Sequence, residues 1–338
     1  MSNVPAKQLF PSSVVRRGWL RSFVAGIRPR RLAALGRIVG QIAYYVDIPH
    51  RRVVWRNLKF CFPKRSSREV VQLSKRVYQN LGVVVLEMLQ TAALSPDELT
   101  RRVEVVGEEH LLGALEEKRG VVAVSGHTGG WEMAMLAVAA GFQVPVTVVS
   151  RDDPLNRFSD SVRRHFGINT VYKKGAFPAM MQALRQGRIV LMTVDMSRSK
   201  DEVEVRFFGK RATMTMSAAL LALRSRCPVV PALCHRRPDG GLTLRLGPAF
   251  KIKRTGDLRA DLQAGSQRMT DAVEEAVREF PEQWLWHQKR WKVFYPHLYP
   301  EYFLQRKLRK EKKRLERKRS KEEKLLRKGR APESSSPT

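Results

Sequence analysis

The chain of 338 residues is short of cysteine, short of acidic side chains and without any long apolar run, and each shortage excludes a class of protein. Its three cysteines, Cys61, Cys227 and Cys234, cannot pair completely and none stands in a C-x-x-C arrangement. A disulfide framework is therefore excluded, and a reducing cytoplasmic setting is the simpler expectation. Cys234 precedes His235, but no second pair exists to complete a zinc site and both lie in VVPALCH, which reads as a buried strand; no metal is expected. A membrane-spanning helix needs roughly 18 to 20 uninterrupted apolar residues. The best candidate, LAALGRIVGQIAYYV from Leu32, is short and carries Arg37. The first thirty residues also lack the apolar stretch and small-residue cleavage site of a secretory signal.

Acids are outnumbered: 32 Asp and Glu face 63 Lys and Arg, a net charge of +31. Residues 1–76 hold +15 of it and residues 305–330 hold +11, which leaves a mildly basic centre between basic ends. Such a molecule meets an anionic surface or substrate. At 43% apolar residues the chain is also rich enough to bury a sizeable core. Near the start, Trp19, Leu20, Phe23 and Ile27 stand among arginines, the mixture of a segment that lies in a lipid headgroup layer or packs on its own domain.

From residue 66 to 95 the apolar spacing predicts one helix, with Val70, Leu73, Val77, Leu81, Val84, Val85, Met88 and Leu89 on a single stripe. Beyond it short β-branched runs alternate with amphipathic stretches: VEVVG, VVAVSG, VPVTVVS, INTVY and RIVLMTV are separated by helical segments near 107–118, 131–140, 155–166 and 176–187. This alternation is the signature of an α/β sheet with helices on its faces. VEVRFF, a helix near 216–226, PVVPALCHR, a turn at 238–241, TLRLG and a helix near 260–279 follow. The expected domains are a basic amphipathic N-terminal region (1–65), an α/β domain (66–300) and a basic tail (301–338), helical and then disordered.

The most informative run is VVAVSGHTGGWEMAML, in which a strand ends at Ser125, His127 sits on the loop and Glu132 opens a helix. Catalytic groups of open α/β sheets gather where strands end and helices begin. A neutral imidazole beside a carboxylate can take a proton from an alcohol as it attacks an acyl carbonyl. A glutamate in the first turn of a helix has its charge favoured by the helix N-terminus. The setting of Ser125 is V-S-G-H rather than G-x-S-x-G, which argues against a covalent acyl-serine route and for direct transfer between two bound substrates.

These residues resemble a family. GHTGGWE, the stretch from SRDDPLNRF to LMTVD, VEVRFFGKRATMTMSAALLALRSRCPVVPA and PEQWLWHQKRWK are similar to the lipid A biosynthesis (lauroyl/myristoyl) acyltransferases and their glycolipid and lysophospholipid relatives, over about residues 35 to 291. The resemblance implies a glycerolphosphate-acyltransferase-like mixed sheet flanked by helices, with an N-terminal helical membrane-associating segment. It implies His127 as general base and Glu132 as its partner in an H-x4-E motif, with Glu204 as a second possible partner. Arg151, Asp195, Glu204, Arg206, Trp286, His287 and Arg290 are implied as substrate-binding, with Trp284 and Trp291 in the same closing motif. The sequence departs from the family at Met196, where glutamine is common, and in lacking a spanning anchor. The resulting expectation is an enzyme that transfers a fatty acyl chain from acyl carrier protein or coenzyme A to a hydroxyl of a lipid A precursor or related glycolipid. It needs no bound cofactor and works peripherally or monotopically on the cytoplasmic face of the bacterial inner membrane. A lysophospholipid or aminolipid acceptor is the nearer alternative. A nucleic-acid-binding protein is the distant one, since the central region shows no aromatic and basic interleaving for specific nucleic acid.

Overall fold

The computed structural model describes residues 23–150, 154–172, 175–196 and 202–329. Three helices come first: α1 (Pro29–Val46), α2 (Ile48–Cys61) and α3 (Ser67–Thr91), followed by the short α4 (Pro96–Thr100). α3 begins where Ser66 and Glu69 cap each other's backbone N–H groups, which satisfies donors a helix start leaves open. α1 lies so close along α3 that no side chain fits at the glycines where they cross. A Cβ on Gly40 would stand 2.1 Å from the carbonyl oxygen of Tyr78, and one on Gly82 would stand 2.1 Å from that of Gly36.

The alternating part forms β1 (Val103–Val106), α5 (Glu108–Glu116), β2 (Val121–Ser125), α6 (Trp131–Gly141), β3 (Val146–Ser150), α7 (Pro154–His165), β4 (Ile168–Tyr172), α8 (Ala176–Arg185) and β5 (Ile189–Thr193). Then come β6 (Val203–Phe207), β7 (Lys210–Met214), α9 (Met216–Ser225), β8 (Val229–Arg236), β9 (Leu242–Leu246) and α10 (Leu258–Glu279). Seven strands make one sheet in the order β1-β9-β8-β2-β5-β3-β4, parallel in every pair except β8 with β9. β2 is central and all five of its residues are buried, as its unbroken VVAVS run requires of a strand covered on both faces. β6 and β7 pair as a separate antiparallel hairpin; the second of these strands, KRATM, had no strand-like apolar pattern in the sequence.

A buried ion pair fastens α3 to the sheet: Arg236, at the end of β8, binds both carboxylate oxygens of Glu87. Burial pushes the Glu87 carboxyl up against the pull of Arg236 and leaves it above the ordinary value. The aromatic segment after α10 is held from the N-terminal side by Asn57 of α2, whose amide donates to the carbonyls of Trp286 (2.8 Å) and Gln288 (2.9 Å). The helical layer, sheet and closing segment thus form one compact unit up to Phe294. From Tyr295 the chain forms a second unit built on one helix, α11 (Pro300–Gly329), with Leu304, Leu308 and Leu315 exposed. No helix among the described residues is long and apolar enough to cross a membrane.

Candidate active site

β2, β3 and β5 run in the same direction and end on polar residues, Ser125, Ser150 and Thr193. Past these ends lies a cavity of about 620 Å³, whose lining includes polar His127, Glu132, Arg163, Thr215, Ser217 and Lys292 and apolar Met135, Val148, Phe177, Met180 and Leu191. The chain turns from β2 into α6 through a loop that needs Gly129 in the left-handed region at φ +54°, where an added Cβ would stand 2.7 Å from the carbonyl oxygen of Cys234.

On this loop His127 faces Asp195, two residues past the end of β5. Its ring Nδ1 lies 2.7 Å from Asp195 Oδ1, and its backbone N–H donates to Oδ2 at 2.8 Å. The same Oδ2 accepts from the indole N–H of Trp284 (2.8 Å) and from the Gln288 amide (3.4 Å). Asp195 is wholly buried, whereas the His127 side chain is 19% exposed at the cavity wall. Burial pushes the Asp195 carboxyl up, but the neighbouring His127 and the N–H groups outweigh it and hold the acid well below the usual carboxylate range. Trp131 packs edge-on against the imidazole at 5.2 Å. A ring so held, with its Nδ1 on a carboxylate, is set to use Nε2 as a base.

Glu132, the expected partner of His127, is engaged elsewhere. Its carboxylate binds Arg163 of α7, which in turn binds Asp160 at 2.9 Å. A residue in the first turn of α6 points along that helix toward α7, while Asp195 arrives beside the loop through the adjacent strand.

A sequence profile of the bacterial lipid A biosynthesis acyltransferases matches residues 20–293. The chain belongs to that family. This acyltransferase is 27% identical to the lipid A biosynthesis lauroyltransferase of Escherichia coli K12 over 264 residues, covering 77% of the chain and 84% of that protein. It is 26% identical to the lipid A biosynthesis myristoyltransferase of the same organism, over 78% of the chain and 81% of that protein. Similarity extends to the phosphatidylinositol mannoside acyltransferase of Mycolicibacterium smegmatis, at 25% identity over 61% of the chain and 67% of that protein.

The remaining expected residues of the acyltransferase fall in three places. Arg151 lies outside the described residues. Glu204 and Arg206 stand on the β6–β7 hairpin: Glu204 pairs with Arg211 at 2.7 Å across the strands rather than with His127, and Arg206 reaches the Gly209 carbonyl. Trp286, His287 and Arg290 sit in the core behind the dyad. The Trp286 indole donates to the Pro281 carbonyl, and Arg290 donates to that of Thr213 and lies over the Phe207 ring. His287 packs on Tyr78 at 4.6 Å, and burial pushes its imidazole down to about 4. Their density of aromatic rings reflects packing, which the sequence also allowed. Arg163, Gln288 and Lys292 had no signal of their own; a basic side chain in a basic protein stands out only once the fold brings it to the cavity, and a glutamine in a closing loop only once it reaches Asp195.

Cys234 is buried, its thiol pushed up to about 12 by burial, and His235 stacks on Phe280 at 4.5 Å. Neither belongs to a metal-binding cluster, of which there is none among the described residues.

Proposed function

We propose that the acyltransferase moves a fatty acyl chain from a thioester, acyl carrier protein or coenzyme A, to a hydroxyl of a lipid A precursor, with His127 as general base and Asp195 as its partner. The observation that carries this reading is the His127–Asp195 pair at the wall of a cavity lined by both polar and apolar side chains. The apolar part of the lining suits an acyl chain, and the cation Lys292 suits phosphate on either substrate. His127 takes the proton of the acceptor hydroxyl as its oxygen bonds to the thioester carbonyl carbon. The tetrahedral adduct then collapses, the carbon–sulfur bond breaks, and the imidazolium returns the proton to the thiolate. The thioester supplies the driving force, so the reaction calls for no further cofactor.

The reading places this chemistry on the cytoplasmic face of the bacterial inner membrane, with the described residues held at its surface. Its support is the outer face of α1. With Gly36, Gly40 and Tyr44 turned to α3, the helix leaves Leu35, Ile38, Val39, Ile42, Tyr45 and Val46 exposed on one stripe, beside exposed Arg30, Arg31, Arg37 and Arg52. Apolar side chains flanked by arginines suit insertion into an anionic headgroup layer. Val85 and Leu89 of α3 are exposed as well, and neighbouring Met88 shares a small gap with Glu132 and Arg163 of the cavity wall. Replacing Ile38 and Ile42 together by glutamate is expected to weaken binding to vesicles containing anionic phospholipid by about tenfold or more, since each removes a buried apolar group from the interface. Sedimentation with vesicles at fixed ionic strength measures it, and unchanged partitioning would remove α1 as the contact.

The acceptor is tested by the mass spectrum of lipid A and total lipids from cells lacking the gene, complemented by wild type or by His127→Ala. Loss of a single acyl chain from lipid A, restored only by wild type, is the expected outcome. A second acceptor class, a phosphorylated mannolipid, is favoured by the likeness to the mannoside acyltransferases. A shift in another glycolipid with lipid A unchanged would select it.

A further inference from the structure

We infer that Trp284 is a positioning residue for acyl transfer, acting through Asp195; the inference rests on the reading of His127 and Asp195 as base and partner. Trp284 is almost completely buried, with Phe207 at 5.3 Å and Trp286 at 4.7 Å against its rings. Packing alone would be served by any large flat side chain. The indole N–H does something more specific, since it donates to Asp195 Oδ2 at 2.8 Å.

The carboxylate of Asp195 is divided by its surroundings. Oδ2 is covered by three N–H donors from two stretches of chain, and Oδ1 is left to the imidazole. A carboxylate pinned on one oxygen cannot rotate, so the direction of the other, and with it the plane of the His127 ring, is set before substrate arrives. Of the two side chains that donate to Oδ2, the indole makes the shorter bond.

The backbone around Trp284 holds the other half of the dyad. Thr128 and Trp284 form a bridge, the Gly129 N–H donates to the Gln283 carbonyl at 3.0 Å, and the Leu285 N–H donates to the His127 carbonyl at 3.1 Å. One short segment therefore grips the loop bearing the base through its main chain and the acid through its indole. This segment is itself tied to α2 by Asn57. The dyad is assembled from β2, β5 and a segment some ninety residues further on, and that segment, centred on Trp284, bonds to both members.

The test is site-specific replacement of Trp284 in the full-length protein by 3-benzothienylalanine, which keeps the ring shape but puts sulfur where the N–H was. The expected result is a fall in kcat of about tenfold or more, the effect of losing one hydrogen bond to a charged group, with KM within about twofold. The acid limb of the pH–rate profile is expected to move to higher pH. With one donor lost from Oδ2, Oδ1 accepts more strongly and the imidazolium holds its proton more tightly. Fluorotryptophans at the same position keep the N–H and make it more acidic. They are expected to restore kcat and to shift the acid limb downward in the order of N–H acidity, a readout that decides the matter even if the benzothienyl variant unfolds at a lower temperature. Wild-type kcat and pH profile in the benzothienyl protein, or an acid limb indifferent to N–H acidity, would reduce Trp284 to a packing residue. His127→Ala and Asp195→Ala run alongside: if these retain turnover, the dyad itself is misassigned, whatever Trp284 does.

Discussion

Asp195→Asn is expected to lower the rate of acyl transfer by about a thousandfold or more, as loss of the correct histidine tautomer does where a carboxylate orients a catalytic base. The surroundings of Asp195 dictate how. Three N–H groups converge on Oδ2, so an asparagine must put its carbonyl oxygen there and turn its NH2 toward His127 Nδ1. Nδ1 then has to accept, the ring proton moves to Nε2, and the nitrogen that should take the acceptor's proton already carries one. His127→Ala removes the base outright and is expected to cost a comparable factor, on the order of a thousandfold. Glu132→Gln gives the contrast. Its carboxylate holds Arg163 at the cavity wall, so its loss should fall on KM and thermal stability, and less on kcat than either dyad substitution. Steady-state kinetics on the three purified variants check this. A Glu132→Gln defect in kcat equal to that of Asp195→Asn, with KM unchanged, would return the partner role to Glu132. Because Asp195 is held well below the usual carboxylate range, the dyad acid stays ionised as pH falls, and the acid limb of activity belongs to the imidazole. The same depressed value contributes stability that is present above the ordinary carboxylate range and is lost only as pH drops through the lowered value.

Arg236→Met is expected to destabilise the protein by about 3–5 kcal/mol, the usual consequence of leaving one member of a buried ion pair without the other. Glu87 would remain among α3, β8 and the Gly130 backbone with its guanidinium partner gone. At roughly 2–4 °C per kcal/mol for a domain somewhat smaller than this one, the unfolding midpoint should fall by about 10 °C. The paired substitution Glu87→Met with Arg236→Met should recover most of the loss, since two apolar groups of similar volume need no desolvation of charge. Differential scanning calorimetry of the two single variants and the double variant measures the coupling. An additive double variant would show that the pair contributes no more than its separate side chains. Burial has pushed the Glu87 carboxyl up despite Arg236, so the charge of Glu87 depends on keeping that partner.

Much of the architecture was legible because it follows from local pattern. VVAVS, VTVVS and IVLMT are short β-branched runs with no polar face, and they became the adjacent parallel strands β2, β3 and β5. Ser66 and Glu69 announced the start of α3, and the turn at 238–241 announced the only antiparallel pairing in the large sheet. KRATM escaped notice because the β6–β7 hairpin takes its stability from α10 and the closing aromatics rather than from alternation of its own.

The site divides along the same line. His127 could be named from the chain alone, because a histidine after a buried strand and before a glycine-bearing helix start is local information. So could Glu132, since four residues separate the two. The choice of partner could not. Asp195 lies sixty-eight residues from His127 and reaches it because β5 was inserted next to β2 in the sheet, and Trp284 and Gln288 reach Asp195 only after α10 has crossed the sheet's face. Hydrogen bonds act over about 3 Å in space, without regard to separation along the chain. The sequence by itself therefore determined most of the strands, the helices, the candidate histidine and the family. Which carboxylate bonds to that histidine, and which indole bonds to that carboxylate, was decided by strand order and by the closing segment, and these exist only in the folded molecule.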